Sequence, residues 1–245
     1  MTLAQELSHK TLGALQERFD LQEVGAPYRE IESQIPPGAS IGAMRVFSSE
    51  QLGKVVYIGM TVEAMGLDSH MIFAFSKPDS GVPHFTLDSV KAGPHFAFHL
   101  DLIPRVDLGA NLAYINAALQ PLTEAYDVAR SIDGLSEARL SPRQFAIMSP
   151  WMLAFRATED AYRAVEPSID HYLDFWAGLV EGGLPAAAVD GYSPQDFQRR
   201  DQRNRDIIFS VAVDPVWNQI LPLTGPEQAA EMRAVLRNQA VEIQA

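Results

Sequence analysis

Four of the six histidines fall between residues 70 and 99, next to an aspartate, in segments that alternate like strands. In a strand, residues two apart share a face. From Val82 to Val90, Phe85 and Leu87 point one way while His84, Thr86 and Asp88 point the other. From His95 to Asp101, Phe96, Phe98 and Leu100 oppose His95, His99 and Asp101. Upstream, Met71, Phe73 and Phe75 alternate with His70, Ile72 and Ala74. This pattern predicts one side of a sheet carrying His70, His84, His95 and His99 beside Asp88. Imidazoles and a carboxylate aligned in that way suit a pocket wall where protons are handled. Each histidine alone also fits a solvated face or a single hydrogen bond under a helix. A metal site using His84, His95 and His99 is the competing chemistry, since imidazole suits zinc, iron or copper. No HExxH or His-x-His motif accompanies it.

The elements that must position these groups read as an α+β fold. Leu3, Leu7, Leu15 and Phe19 predict an amphipathic helix over 2–19. A Pro/Gly-marked loop at 35–42 precedes an all-strand stretch from about Arg45 to Pro104. Tight turns between successive short strands imply antiparallel pairing, because parallel crossovers need a dozen or more residues. A helical stretch at 108–130 is interrupted by Pro121. A strand pair is predicted from Arg143 to Thr158, turned at Ser149-Pro150. Ile169, Tyr172, Trp176, Leu179 and Val180 form a helical stripe ended by Gly182-Gly183, Ser193-Pro194 starts another helix, and a last one spans about 226–238. The expected architecture is a three-layer α/β/α sandwich: one central antiparallel sheet with helices on both faces, in a single domain over residues 1–245.

Composition narrows the function. With 245 residues the chain can bury a substantial core. No apolar run approaches the ~20 residues of a membrane span, and the N-terminus does not resemble a signal peptide. There is no cysteine, which removes disulfides, thiolate metal sites and cysteine nucleophiles and fits the cytoplasm. A formal net charge of -12 argues against nucleic acid and against anionic membranes. Arg199, Arg200, Arg203 and Arg205 form the one cationic cluster, suited to an acidic partner or a substrate carboxylate. No GxGxxG, P-loop or GxSxG motif is present, so redox chemistry would need electrons from outside.

The segment VPHFTLDSVKAGPHFAFHLDLIPRVDL (82–108), followed by LSPRQFAIMSP (140–150), resembles red chlorophyll catabolite reductase, of the ferredoxin-dependent bilin reductase superfamily. Asp214-Pro215, with Gly225 eleven residues after the Asp, is similar to the start of that superfamily's last region. The collinear resemblance runs from about residue 54 to 240. It implies an α/β/α sandwich, an open-chain tetrapyrrole substrate such as a bilin or red chlorophyll catabolite, and reduced ferredoxin as electron donor with no bound cofactor. It leaves room for a homodimer and for a non-catalytic bilin-binding protein.

The resemblance also assigns residues. Asp88 falls where bilin reductases place a substrate-protonating Asp and chlorophyll catabolite reductases a Glu. Asp214 matches the second, C-terminal acid, and His70 lies within one residue of the active-site histidine of phycocyanobilin:ferredoxin oxidoreductase. The glutamate that this enzyme carries on the preceding strand has no counterpart among Tyr57 to Met60. Apart from the resemblance, the shared strand face makes His84, Thr86 and His99 candidates for substrate contact, and residue type and location alone make Arg143 a candidate for substrate propionates and Arg199, Arg200, Arg203 and Arg205 candidates for ferredoxin docking. Asp214 has a second reading, because Asp followed by Pro ahead of Val-Trp-Asn-Gln-Ile is also what a helix cap looks like. A capping carboxylate is favoured as the anion, which opposes proton donation.

Overall fold

A computed structural model describes residues 1–25 and 29–241. Helix α1 (Leu3–Phe19) leads into strands β1 (Gln22–Val24), β2 (Ile31–Gln34), β3 (Pro37–Ser48), β4 (Leu52–Val62), β5 (Leu67–Ser76), β6 (His84–Ala92) and β7 (His95–Ile103). Helices α2 (Leu112–Ala118) and α3 (Thr123–Arg130) follow, then β8 (Leu135–Glu137), α4 (Pro142–Phe145) and β9 (Leu153–Ala157). The chain continues through α5 (Glu159–Ala164), α6 (Glu166–Gly182), α7 (Pro194–Ile208), α8 (Val216–Thr224) and α9 (Pro226–Arg237). The strands form one antiparallel sheet in the order β1-β3-β4-β5-β6-β7-β9-β8, with β2 added on β3. None of the described helices is long and apolar enough to cross a membrane.

Alternation along the strands builds two cores. Val55, Tyr57, Ile72, Ala74, Phe85, Leu87, Phe98 and Leu100 face α1 and α6 and pack against Leu7, Leu15, Tyr172 and Trp176. Val56, Ile58, Met60, Met71, Phe73 and Phe75 face the C-terminal helices and meet Phe209, Trp217, Ile220, Met232 and Leu236. Helices therefore cover both faces, which is the expected sandwich. On the second face the apolar set stops at β5. Over β6, β7 and β9 that face carries Thr86, Asp88, His99 and Asp101 instead, and a cavity lies there.

Two local readings change. Residues 37–42 belong to β3 rather than a loop; a proline at the first residue of a strand forfeits no ladder bond that the sheet needs. The strand pair expected at 143–158 is one strand preceded by a helical turn. Ser141 Oγ accepts the Gln144 N–H and Gln144 Oε1 accepts the Ser141 N–H, a capping box that commits 142–145 to helix. β9 pairs with β7 and β8.

Candidate active site

Register decides which groups meet. In the β5–β6 ladder Met71 stands opposite Asp88 and His70 opposite Ser89. In the β6–β7 ladder Asp88 stands opposite His99 and Thr86 opposite Asp101. Partners across a ladder share a face, so His70 lies on the opposite side of the sheet from Asp88. The expectation that all four histidines share one wall is corrected: alternation fixes the faces within a strand, and register fixes them between strands. That register is held by the 77–83 connection. Arg105 Nη2 donates to Pro78 O (2.7 Å), Tyr114 Oη to Gly81 O (2.9 Å) and Trp176 Nε1 to Pro83 O (2.7 Å).

His70 is instead part of a polar chain beneath α1. Its Nε2 lies 3.0 Å from Asp68 Oδ1 and its Nδ1 2.7 Å from Tyr57 Oη, which is 3.2 Å from His9 Nε2. Burial holds the His70 pKa below its ordinary value against the pull of Asp68, and burial pushes the Tyr57 hydroxyl up to about 12. Asp68 also accepts from Thr61 and from Thr2, the residue that caps α1. The chain pins α1 to the sheet and has no contact with the cavity.

His84 is likewise structural. It is fully buried; its Nδ1 accepts the Ser76 N–H (3.1 Å), which leaves the proton on Nε2 to be donated to Asp201 Oδ1 (2.5 Å). Asp201 also accepts from Arg205 Nε (2.8 Å), and Arg105 Nη2 stands 3.6 Å away. The Arg205 guanidinium lies 3.7 Å from the Phe75 ring centroid. Burial, with the Arg105 charge, drives the His84 pKa down to about 3. A neutral imidazole enclosed in an ionic cluster cannot contact substrate, so that expectation for His84 is corrected. Arg205, fully buried in the same cluster, is withdrawn from the docking patch.

The metal alternative fails on distance. His95 stands opposite Ala92 at one end of the β6–β7 ladder and His84 opposite Ile103 at the other, with His99 between them. At ~3.3 Å per residue, four residues separate His99 from His95 by about 13 Å, and His84 lies about as far the other way. Among the described residues no group of three or more His, Cys, Asp or Glu side chains could hold a metal ion.

The cavity beside Asp88 has a volume of about 260 Å³. Its floor is Met71, Phe73, Thr86, Asp88 and His99, and its roof is Ile147, Met148, Phe209, Asp214 and Trp217. Asp88, Thr86, His99 and Asp214, four of the expected site residues, thus converge from the sheet and the segment before α8. Val90 and Ala97 continue the wall into a second depression of about 500 Å³ that reaches His95 and Arg156.

The electrostatics suit proton transfer. Asp88 Oδ2 lies 3.7 Å from His99 Nδ1, an ion-pair separation longer than a hydrogen bond. Desolvation lowers the His99 pKa, but the attraction of Asp88, with Asp101 and Asp214 behind it, outweighs this and holds it above its ordinary value. Burial pushes the Asp214 carboxyl up to about 6, reinforced by Asp88, although the Val216 N–H donated to its Oδ1 (3.0 Å) and the charge of His99 pull the other way. Asp214 therefore accepts the first N–H of α8, whose N-cap is Pro215, and keeps an acid's pKa. Four buried atoms on this wall have no partner among the described residues: Thr86 Oγ1, Asp88 Oδ1, His99 Nε2 and Trp217 Nε1.

Sequence reasoning missed two contributors. Trp217 enters from beyond the alternating segment, and its only signal is a tryptophan beside the Asp-Pro pair. Asp101 shows in the alternation, but not its burial. It accepts the Ser149 N–H (2.9 Å) and Oγ–H (2.5 Å), and burial lifts its carboxyl to about 6. Arg143 does not line the cavity; it is exposed and donates to Ala212 O (3.0 Å), tying α4 to the segment that carries Asp214. Of the arginine cluster, Arg199 and Arg203 are exposed, and Arg200 is half-buried and donates to Val106 O (2.7 Å).

No family model matches the chain, and no curated protein does. Among solved structures, the chain is similar to a phytochromobilin synthase from tomato, crystallised in complex with biliverdin. The TM-score is 0.78 and the identity 16%, over 98% of this chain and 85% of that one. At that identity the likeness establishes the fold: a central antiparallel sheet between helices.

Proposed function

We propose that this protein reduces an open-chain tetrapyrrole, taking single electrons from reduced ferredoxin and protons from the acids of the cavity beside Asp88. The observation that carries this reading is the convergence of Asp88, Asp214 and His99 on one largely apolar cavity whose wall leaves four buried polar atoms unpaired. Buried polar atoms are costly to leave unpaired. This set mixes donors with an acceptor, which matches a ligand that alternates lactam carbonyls with pyrrole N–H groups. The biliverdin in the structurally similar synthase supports the same ligand class.

The chemistry follows from the charge. Each electron added to a conjugated tetrapyrrole makes it more basic, so a proton must follow to a chosen atom. A carboxyl with a pKa near 6 is protonated often enough at neutral pH to supply one. At about 260 Å³ the cavity is below the usual range of ~300–1,000 Å³ for small-molecule sites. The rest of a tetrapyrrole would lie along the open strip of sheet past Val90 and Ala97, where Arg156 could meet a propionate.

Electron delivery is assigned to the cleft lined by Arg199, Arg200, Arg203 and Ile207. Ile147 and Met148 line this cleft and the cavity alike, so an acidic ferredoxin docked there sits one side-chain layer from the pigment. Two net-negative proteins need such a local positive patch to meet.

Incubation with biliverdin or red chlorophyll catabolite, ferredoxin and a reducing system should shift the pigment's absorption progressively. Tight binding of both pigments with no turnover of either would make the protein a bilin-binding protein instead.

A further inference from the structure

The connection from β8 to β9, residues 138–152, is built unlike the rest of the cavity wall. Both its ends are fixed. At one, the Ala138 N–H is donated to Ala154 O (2.9 Å). At the other, Ser149, the first buried residue of the connection, gives its N–H (2.9 Å) and Oγ–H (2.5 Å) to the fully buried Asp101. Between them no residue from 139 to 148 is buried, yet Leu140, Gln144, Ile147 and Met148 line the cavity. The capping box and the helical-turn bonds of 141–148 close within the segment itself. Among the described residues, one hydrogen bond leaves 139–148 for the rest of the protein: Arg143 Nη1 donates to Ala212 O (3.0 Å). A segment that bonds mostly to itself, buries little and is held at its two ends moves as a unit at low cost.

We propose that residues 139–148 form a hinged lid over the cavity beside Asp88, with Arg143 as its latch, and that the pigment enters and leaves as this lid lifts. The proposal rests on the reductase reading above for the identity of the ligand and adds the step that admits it. Closed, the cavity encloses about 260 Å³, below the usual ~300–1,000 Å³ of small-molecule sites, so bringing a planar pigment to Asp88 asks the roof to give way. Opening parts Leu140, Ile147 and Met148 from the sheet and breaks the bond at Arg143. The Asp101–Ser149 contact stays as the pivot. Beyond it the chain is anchored in the helix layer: Ser149 Oγ accepts the Trp151 N–H (3.2 Å), and Trp151 O accepts the Tyr172 hydroxyl (2.8 Å) from α6. The latch lies on the solvent side, and its acceptor Ala212 stands two residues before Asp214, so it joins the lid to the segment that carries this acid. Arg143 then governs the pigment's rates of entry and release without touching it. Closure of this kind shuts water out of a site and commits the ligand.

The chain has no cysteine, so one pair can be introduced without competitors. Arg143→Ala removes the latch. Arg143→Cys with Ala212→Cys, bridged by a short cleavable bis-maleimide, replaces it with a covalent one. In stopped-flow mixing with biliverdin, Arg143→Ala should bind and release the pigment about 2–10-fold faster, the loss of one exposed hydrogen bond from a charged donor. The bridged protein should do both at least ~10-fold more slowly and recover when the bridge is cleaved. A residue that only touched the pigment would, on removal, speed release and leave association unchanged or slower. That result, or a bridged protein that binds at the unbridged rate, would overturn the proposal. Amide hydrogen exchange reads the lid without pigment: the amides of Phe145, Ala146, Ile147 and Met148 should quicken together in Arg143→Ala while those of β9 stay slow. Exchange at 145–148 as slow as in β9, or untouched by the substitution, would also overturn it. Wild-type protein that binds no pigment would sink the reductase reading, a failure visible apart from the exchange result.

Discussion

Replacing Asp201 with Asn separates the scaffold from the site. Its carboxylate accepts from His84 Nε2 (2.5 Å), Arg205 Nε (2.8 Å) and Gln239 Nε2 (2.9 Å), with Arg105 Nη2 at 3.6 Å. Both arginines and the aspartate are fully buried. The amide keeps the shape and removes the anion that both guanidiniums share, so among the described residues neither keeps a paired carboxylate. Breaking a buried pair in this way costs about 3–5 kcal/mol. For a chain of this size, where 1 kcal/mol moves Tm by ~2–4 °C, the midpoint should fall by about 6–20 °C. Urea titration and thermal melts measure this, with Glu137→Gln as a control: it breaks the exposed Arg130–Glu137 pair and should cost less than ~1 kcal/mol. Because no member of the cluster lines the cavity, Asp201→Asn held below its midpoint should bind biliverdin with wild-type affinity. A loss no larger than the control's, or a pigment affinity that drops tenfold in the folded variant, would refute the assignment of His84 and Arg205 to structure.

Asp88→Asn should keep pigment binding while reduction slows at least ~100-fold at neutral pH and a tetrapyrrole radical builds up, read by electron paramagnetic resonance. Asp214→Ala removes an acid and the acceptor for the Val216 N–H; it should lose about 1 kcal/mol in urea as well as turnover, and unchanged turnover would leave it a structural acceptor alone. Reversing Arg199 and Arg203 to Glu should raise the ferredoxin concentration needed for half-maximal rate at low salt, with the difference shrinking as salt is added. His84, with its pKa near 3 in the fold and about 6.5 when unfolded, contributes stability that is fully present above pH ~6.5 and is lost as pH falls toward 3. Acid titration of the wild type should therefore show ΔG of unfolding declining from about pH 6.5 downward, and a flat profile to pH 4 would contradict it.

The sequence by itself determined more of the scaffold than of the site. Alternation at Phe85 and Leu87 against Thr86 and Asp88, and at Phe96 and Phe98 against His99 and Asp101, follows from strand geometry and needs no partner to be read. Short turns made the sheet antiparallel, and amphipathic stripes put helices on its two sides. Tertiary structure alone decided which strand faces coincide. A one-residue change of register exchanges His70 for Met71 beside Asp88, and that register is held by Arg105, Tyr114 and Trp176, each remote in sequence from the 77–83 connection they bind. The arginine cluster was legible as charge, but a helix turns about 100° per residue. Arg199 and Arg203 therefore emerge to solvent while Arg205 is carried inward to Asp201 and His84. Asp214 and Trp217 reach Asp88 from more than a hundred residues along the chain. Only packing of α8 over the sheet, driven by burial of Trp217, Ile220 and Leu223, converts a strand face into a cavity in which an acid can hold its proton.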